Sequence, residues 1–554
     1  MTYIKRLLLF SLAVILQSSH GNTVGAQRLN PVKNYCARFD HQSTVKDNAL
    51  YIYGGGQTYV DENNSGHTSG PITVGYNLDI ISVNLSSSWD WKRNFTEDVT
   101  NVTVNPRTGT APPQLSQGAL FQGSPSDPSF YFYGGTTTWA NASFPGFRKP
   151  GSPTYSLWAY DLSTKAWSQY DISMRVPHRP SSGAHAEAPD QSLAFYLNGE
   201  INNGSSTGIS LPAGVNTFLT GMVVINTTDH SAKNLSTAGV TGTSPRARAQ
   251  MQYISGIGDK GILVLLGGSR KTVGDYGATD LLDLVPMTDV AIFDVGSLYN
   301  TSTPNGIWYR QNATAANNTG VPEPRVDFCL VAVAAADSSS YNIYMYGGRD
   351  PASRYFDEIW VLSLPSFTWT KIFSGISPRF GHTCHLVGNR TLLTVGGVAS
   401  IKQKSGRPDT NASPCDWESK GLAVMDLTDI TWGSVYDAHA PAYGVPAQVI
   451  ATIGGSPEGH ANLTTPVSAF ADDGLASLFG VKILQKPPSP DKGRDLRAAI
   501  AAPICGVVIL LAIAGLVWWL WGKNRAGRKG APEEGIYYEK SEEPDVPREQ
   551  VVHQ

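Results

Sequence analysis

Residues 50–55 read Leu-Tyr-Ile-Tyr-Gly-Gly, a short apolar run that ends in two glycines. The pattern returns at intervals of 49 to 80 residues, in segments 130–135, 193–200, 262–268, 343–348 and 392–397. Such recurrence indicates one supersecondary unit repeated with inserted loops of variable length. Because one unit cannot bury its own apolar face, the units are expected to pack against one another.

The composition favours many short strands. The chain has 554 residues, 41% of them apolar, with 56 glycines and 35 prolines. So much glycine and proline disfavours long helices and is typical of strands joined by turns. The formal net charge of −3, without a basic run in the repeat region, gives no electrostatic footprint for nucleic acid. The sequence therefore predicts an all-β domain that does not bind nucleic acid.

Two further features accompany the repeats. An arginine introduces the first strand of most units, at Arg38, Arg179, Arg246, Arg325 and Arg379. A leucine stands five residues before a tryptophan in three units, in the pairs Leu162 and Trp167, Leu364 and Trp369, and Leu427 and Trp432. This spacing predicts a tight hairpin whose last strand lays an indole against the neighbouring unit. The first and fourth units keep a tryptophan, at Trp89 or Trp91 and at Trp308, whereas the third has none and carries Gly199-Glu200 in place of a diglycine.

The order of arginine, histidine, diglycine and tryptophan resembles the kelch repeat. Segments 38–55, with His41-Gln42-Ser43, and 379–397, with Gly381-His382, match it best, and the resemblance covers residues from about 36 to 436. It implies a kelch-type β-propeller of radially arranged four-stranded blades. Six blades are expected, and a seventh is left open because segment 449–455 ends in another diglycine. We interpret that segment as a strand that completes a blade or packs beneath the disk.

The ends of the chain carry targeting signals. Residues 1–26 read as a signal peptide, with Lys5 and Arg6 before an apolar run. The propeller is predicted over 27–470 and a stalk over 471–497. Residues 498–521 follow, which hold no charge and are long enough to span a bilayer once. Basic residues follow the span, which places the disordered tail, 522–554, in the cytoplasm. The prediction is a single-pass type I protein of the plasma membrane, similar to the kelch-repeat cell-surface proteins of filamentous fungi.

Cysteines and glycosylation sequons agree with an extracellular domain. Cys36, Cys329, Cys384 and Cys415 precede the span and allow three disulfide pairings, of which Cys384 with Cys415, and hence Cys36 with Cys329, is preferred. Fourteen Asn-x-Ser/Thr sequons also precede the span: Asn63, Asn84, Asn94, Asn101, Asn141, Asn203, Asn226, Asn234, Asn300, Asn312, Asn317, Asn389, Asn411 and Asn462. The tail has none, so we expect a glycosylated surface outside the cell.

The search for chemistry yields no catalytic, cofactor-binding or metal-binding residue, and no cofactor is predicted. Segment 256–261 fits Gly-x-Gly-x-x-Gly, but it separates two strand-like runs and is interpreted as a hairpin turn. For Cys384, flanked by His382 and His385, a structural disulfide is favoured over a metal site. Propellers of the galactose oxidase type use a Tyr-His pair at copper, and this sequence contains no Tyr-His dipeptide.

Long connections point to one end of the predicted disk. Segments 56–77, 136–155, 201–218, 269–287 and 398–420 each hold roughly 20 residues, whereas segment 349–357 is short and leaves a gap. These loops either form a glycan shield or, through Tyr59, Trp139, Phe147 and Tyr276, a ligand rim.

Three functions are compatible with this organisation. The first is an extracellular binding or adhesion module for a protein or glycan. The alternatives are a propeller enzyme that acts on a sugar or small secreted metabolite, and a structural wall-associated protein.

Overall fold

The structure is a computed structural model, and it describes the following residues: 28–60, 72–137, 143–148, 156–172, 179–205, 211–212, 215–271, 277–278, 283–316, 320–352, 354–399, 403–404, 407–408, 415–418 and 420–480. The chain divides into two compact units, 1–482 and 483–554, and all described residues belong to the first. The predicted signal peptide, membrane span and tail therefore lie outside the described residues.

Most of the described chain folds into antiparallel sheets of four strands, which follow one another in chain order within each sheet. Sheet 1 contains Gln42–Lys46, Ala49–Tyr53, Asp79–Asn84 and Asp98–Asn101. Sheet 2 contains Ser116–Phe121, Ser129–Thr136, Ser156–Asp161 and Ala166–Asp171. Sheet 3 contains Ala184–Ala188, Leu193–Leu197, Met222–Asn226 and Ala232–Leu235.

The second half of the chain repeats the arrangement. Sheet 4 contains Gln250–Ile254, Ile262–Leu266, Asp289–Asp294 and Ile307–Asn312. Sheet 5 contains Cys329–Ala334, Tyr341–Tyr346, Glu358–Leu364 and Thr368–Ser374, and the short strand Thr314–Ala315 joins its edge in parallel. Sheet 6 contains Thr383–Val387, Thr391–Val395, Leu422–Asp426 and Thr431–Gly433. The segment 256–261 joins two antiparallel strands of sheet 4, as a hairpin turn does.

The first strands of the six sheets surround a central cavity. Each contacts the first strand of the next sheet, and that of sheet 6 contacts that of sheet 1. We call the end of the ring where each second strand gives way to the third the loop face. The opposite end, which carries the turn between the first and second strands, is the turn face.

Short strands, helices and 3₁₀ turns lie outside the six sheets. Short strands outside the six sheets are Tyr35–Phe39, Gly56–Tyr59, Thr73–Tyr76, Trp89–Asp90, Glu200–Ile201, Val215–Phe218, Arg246–Ala247, Ser269–Arg270, Gly277–Ala278, Gln403–Lys404, Arg407–Pro408 and Val435–Tyr436. The α-helices are α1 (Ala238–Thr241), α2 (Ala447–Ile453) and α3 (Asp473–Leu478), and 3₁₀ turns occur at Pro189–Gln191 and Val295–Tyr299.

Each diglycine joins its sheet to the next one. The backbone N–H of the second glycine donates to the carbonyl of the residue that opens the following sheet, in the pairs Gly55–Leu115, Gly135–Pro180, Gly199–Arg246, Gly268–Arg325, Gly348–Arg379 and Gly397–Arg38, at 2.7–3.3 Å. Both glycines of a pair have positive φ, and a Cβ on Gly134 would lie 2.6 Å from the Pro180 carbonyl oxygen. The close approach of two backbones therefore requires glycine there.

Two sequence assignments in the third unit are wrong by one residue. The pair equivalent to diglycine is Asn198-Gly199, with φ of 52° and 85°, and not Gly199-Glu200. Asparagine tolerates this left-handed conformation better than most residues. The opening position is taken by Pro180, whose carbonyl bonds to Gly135, and Arg179 precedes it.

The tryptophans lie between sheets, as predicted. Trp167 of sheet 2 is fully buried, with its ring 5.4 Å from that of Tyr53 in sheet 1. Trp369 of sheet 5 is also fully buried, and its Nε1 donates to the Met287 carbonyl ahead of the third strand of sheet 4, at 2.9 Å. Each of these two indoles thus fills the gap towards the preceding sheet.

The segment after sheet 6 differs from its prediction. Residues 449–453 belong to helix α2, which packs on the outer strand of sheet 5, and not to a strand. Helix α3 buries Leu475 among residues of sheets 4 and 5. Residues 471–480, predicted to begin the stalk, are therefore part of the packed unit.

Both disulfides differ from the preferred pairing. The structure joins Cys36 to Cys415 and Cys329 to Cys384, with Cα atoms 4.4 and 5.7 Å apart. The first bond links the strand that precedes sheet 1 to sheet 6, so it closes the ring covalently. The second links the first strands of sheets 5 and 6. The prediction paired residues by closeness in sequence, whereas ring closure brings the two ends of the array together.

None of the described helices is both long and apolar enough to cross a membrane.

Replacing Gly134 with alanine should lower the free energy of unfolding more than the same change at Gly109. Both glycines have positive φ, of 77° and 70°, but a Cβ at Gly109 would meet nothing within 4 Å. We expect a loss of about 1 kcal/mol at Gly109 from backbone strain, and a further ~1–3 kcal/mol at Gly134 from the clash with Pro180. Denaturant unfolding of the two variants measures the difference, and equal losses would show that the backbone contact between sheets contributes nothing.

Replacing Cys36 and Cys415 with serine should destabilise the ring. Loss of a native disulfide costs about 2–4 kcal/mol and increases with the length of chain enclosed. The sequence separation is 379 residues here and 55 for Cys329 and Cys384. We therefore expect the larger drop in melting temperature for the first pair. A larger drop for the second pair would mean that closure of the ring does not depend on the first.

Candidate functional site: the central cavity and the loop face

The central cavity is the candidate site. Its volume is about 430 Å³, and the first strands of all six sheets line it. That volume falls within the range of small-ligand pockets. The cavity runs from residues at the loop face, such as Arg248, to residues near the turn face, such as Tyr253.

A ring of six residues encircles the cavity at the loop face. Each lies at or just before the start of the first strand of its sheet and has φ between 51° and 67°: Asp40, Gln117, Ser182, Arg248, Asp327 and Gly381. Five backbone hydrogen bonds connect them in order, from Asp40 to Gly381, Gln117 to Asp40, Ser182 to Gln117, Arg248 to Ser182, and Gly381 to Asp327, at 2.6–3.2 Å. A left-handed non-glycine residue costs about 1–3 kcal/mol and persists only where its surroundings fix it. We call this set the backbone ring.

Charged side chains of the backbone ring pair with one another across the cavity. Arg248 reaches Asp327 at 3.2 Å and Glu200 at 3.4 Å. Arg349, from the short connection of sheet 5, binds the other oxygen of Asp327 at 2.8 Å. Asp40 accepts a hydrogen bond from the Gln117 amide at 3.2 Å. The charged and polar side chains at the loop-face end of the cavity thus already satisfy one another.

The two aspartates of this network differ in pKa. Burial and repulsion from Asp327 raise the pKa of Asp40 to about 6. Burial opposes ionisation of Asp327 as well, but Arg248 and Arg349 together bring its pKa below the ordinary value. Asp327 is therefore the charged partner of both guanidinium groups, and Asp40 retains its proton in mildly acidic solution.

A chain of hydroxyl and imidazole groups lines the wall between sheets 1 and 6. The Ser43 Oγ contacts the Thr383 Oγ1 and lies 2.7 Å from the His385 Nε2. His41 Nε2 lies 3.1 Å from the same threonine oxygen. Burial, with some repulsion from His185, lowers the pKa of His385 to about 4. The imidazole is neutral near pH 7, and so low a pKa makes it a weak base.

Glu187 is the other unusual acid of the cavity wall. Its carboxylate accepts hydrogen bonds from the backbone N–H groups of Gln122 and Gly123, at 2.8 and 3.3 Å. Even so, burial raises its pKa to about 7.

The predicted ligand rim is only partly described. Tyr59 is buried against Tyr76 and Phe144 and is not part of a rim, because its hydroxyl donates to the Tyr76 carbonyl at 2.5 Å. Phe147 packs at the edge of the same cluster. Trp139 and Tyr276 lie outside the described residues.

The predicted glycosylation sites are compatible with attachment where they are described. Asn226 is half-buried. The other nine described sequon asparagines are exposed: Asn84, Asn94, Asn101, Asn203, Asn234, Asn300, Asn312, Asn389 and Asn462. Asn63, Asn141, Asn317 and Asn411 lie outside the described residues.

Sequence reasoning missed the backbone ring. Each of its members stands two residues after the residue that opens its sheet, as Asp40 does after Arg38 and Asp327 after Arg325. Aligning the units on that position would have placed the six residues together. Their types differ, so no residue motif marks them.

Changing Glu187 to glutamine should flatten the pH dependence of stability. The folded state holds the Glu187 proton up to about pH 7, whereas an unfolded chain releases it near pH 4.5. The stabilisation is thus present below pH 4.5 and lost as the pH rises through 7. Near pH 5 the variant should match the wild type, and at pH 8 it should be more stable by up to about 3 kcal/mol.

Thermal unfolding between pH 5 and 8 measures this difference. Glu458→Gln is the control, because a hydrogen bond from Ser456 lowers the pKa of that exposed acid. An equal gain in stability by both variants at pH 8 would contradict the raised pKa of Glu187 in the folded state.

Comparison with known proteins supports the fold. The chain is 28% identical over a 604-residue alignment to a kelch repeat-containing protein of Arthroderma benhamiae, which covers 95% of this chain and 81% of that protein. Host cell factor 2 of Homo sapiens is 28% identical over 116 residues, or 20% of this chain and 14% of that protein. The flagellar outer-arm dynein alpha chain of Chlamydomonas reinhardtii is 29% identical over 146 residues, which cover 26% of this chain and 3% of that protein.

The solved structure of YjhT aligns with a TM-score of 0.42 and 12% identity, over 72% of this chain and 98% of that one. No protein-family model matches the chain. The near full-length similarity, together with the repeated sheets, confirms the resemblance to kelch-repeat propeller proteins that the arginine, diglycine and tryptophan motifs predicted.

Proposed function

We propose that this chain is a glycosylated, single-pass cell-surface protein whose six-bladed kelch propeller binds an extracellular protein through its loop face. The six sheets are the blades, and the segment after sheet 6 is a strap on their outer edge. A glycan is the second ligand class for the same face. The observation that carries the proposal is that the described parts of neighbouring loop-face connections pair with and pack on one another.

The connections on the loop face support one another. The strand Val215–Phe218, from the sheet 3 connection, pairs with both Glu200–Ile201 and Gly277–Ala278, the latter from the sheet 4 connection. On the other side, Phe144 of the sheet 2 connection stacks on Tyr59 of the sheet 1 connection, with ring centroids 5.5 Å apart. A surface held in this way loses little conformational entropy on binding, which favours recognition of a large partner.

The paired charges at the loop-face end of the cavity favour surface binding over turnover. Asp327 pairs with both Arg248 and Arg349, and Glu200 pairs with Arg248 as well. A substrate that displaced these contacts would leave buried charges unpaired, which is costly.

The end of the described chain is compatible with a tether that leaves the loop face free. Leu478 accepts a backbone hydrogen bond from Gly258, in the first hairpin turn of sheet 4, at 3.2 Å. Gly480, the last described residue, follows two positions later. The described chain therefore ends near the turn face, away from the loop face.

An enzyme that acts on a sugar or small metabolite is the second candidate. The contact between Ser43 and His385 favours it, since a hydroxyl beside an imidazole is the first requirement of a nucleophile and its base. The low pKa of His385 weakens this candidate.

The test is binding of the full-length chain, held in detergent micelles, to arrays of purified glycans and cell-wall proteins. Trp417 and Ile376 are 64% and 97% exposed on loop-face connections, and tryptophan is common among residues that dominate binding energy. Replacing both with alanine should weaken binding at least about tenfold, or ~1.4 kcal/mol.

Tyr299→Ala is the matched control. That side chain is 59% exposed and contacts Gln191 at a turn-face position. Binding that survives the double variant, or that disappears in the control, would exclude the loop face. Product formation from array sugars, abolished by His385→Ala, would favour the enzyme instead.

A further inference from the structure

A cluster of metal-ligand side chains lies where sheets 5 and 6 meet. Cys329, His382 and Cys384 each place one ligand atom within 4.8 Å of the other two. It is the one group of at least three histidine, cysteine or acidic side chains with this geometry among the described residues. Two of its members form the Cys329–Cys384 disulfide.

His382 provides the second, independent observation. Its side chain is 5% exposed, and neither ring nitrogen has a partner at the distance and angle of a well-formed hydrogen bond. Among the described residues, the Tyr346 backbone is the one hydrogen-bonding group that acts on the ring, and its contact falls short of that geometry. A buried imidazole with such incomplete hydrogen bonding costs free energy and requires an explanation. Coordination of a metal ion by a ring nitrogen of His382 would supply this explanation.

We infer that Cys329, His382 and Cys384 bind a zinc ion when the disulfide is reduced. Two thiolates and one imidazole are preferred zinc ligands, and a water molecule would complete the tetrahedron. The ligands lie on the first strands of adjacent sheets, so the bound ion would replace the disulfide as the link between sheets 5 and 6. The proposal does not depend on the function of the loop face.

The chemistry balances through a dithiol. A thiolate of the dithiol attacks one sulfur of the Cys329–Cys384 bond, and its second thiolate displaces the other cysteine, so the dithiol is oxidised to a disulfide and both cysteines are reduced. Zinc then replaces the two thiol protons, which are released to solvent. Both cysteines line the central cavity, and Cys384 is partly exposed, so a small dithiol and the ion can reach them from that side.

The other disulfide is the natural comparison. Cys36 and Cys415 form no such group with a histidine or acid among the described residues. His41 occupies in sheet 1 the position that His382 occupies in sheet 6, and each ring packs against a diglycine of the preceding sheet, at Gly396 and Gly347. In sheet 5 the same position is held by Phe328, against Gly267, so phenylalanine fits this environment.

The experiment measures zinc bound to the full-length chain in detergent, before and after reduction with dithiothreitol and anaerobic removal of the reductant. All proteins carry Cys505→Ala to remove the fifth cysteine. We expect about one zinc per reduced chain and none per oxidised chain. His382→Phe should weaken zinc binding at least about tenfold. His41→Phe and the Cys36→Ser/Cys415→Ser pair should leave it unchanged.

Cobalt substitution supplies a second readout that does not need a variant to fold. The reduced Cys505→Ala chain loaded with Co²⁺ should display a thiolate-to-cobalt charge-transfer band and tetrahedral d–d bands. Absence of these bands, absence of zinc from the reduced chain, or equal binding by His382→Phe would overturn the proposal. Loss of zinc in the Cys36→Ser/Cys415→Ser protein, if it folds, would overturn it as well.

Discussion

The structure depends on the hydrogen bond from the second glycine of each pair to the opening residue of the next sheet. The contact joins two backbones, as between Gly397 and Arg38 where the ring closes at 2.7 Å. Side chains cannot lie between backbones so close, so glycine is required on one side. Once six such bonds fix the spacing, the tryptophans fill the gaps that remain, and the residues next in sequence meet around the cavity. The fold and the candidate site thus follow from one repeated contact.

The backbone ring shows how this constraint shapes the cavity. Asp40, Gln117, Ser182, Arg248 and Asp327 are not glycines, yet all adopt left-handed conformations. Their hydrogen bonds to one another compensate for the strain, and the partners come from neighbouring sheets. The charged side chains of Arg248 and Asp327 then pair at the loop-face end of the cavity. The packing of the sheets into a ring therefore also brings the charged residues of the cavity together.

What the sequence predicted was local. The apolar run before Gly54, or the five-residue spacing of Leu364 and Trp369, reports on one strand or hairpin and is readable without the rest of the chain. The disulfide pairing was not predictable, because it depends on which ends meet after the ring has closed. Helix α2 was missed for another reason: Gly454, with φ of 75°, ends a helix as readily as a strand. The backbone ring left no motif because its conformation, and not its residue types, is repeated.

The loop face and the wall of the cavity consequently suit different chemistry. At the loop face, inserted connections vary while the floor beneath them is fixed by paired charges, so partners can change there without disturbing the fold. The wall between sheets 5 and 6 is different, because Cys329 and Cys384 belong to the first strands that define the cavity. A change in the bond between them acts on the packing of adjacent sheets and not on a loop. The proposed recognition and the proposed zinc binding thus lie on different elements, because only the loop-face connections are outside the strands that the repeated glycine contact holds together.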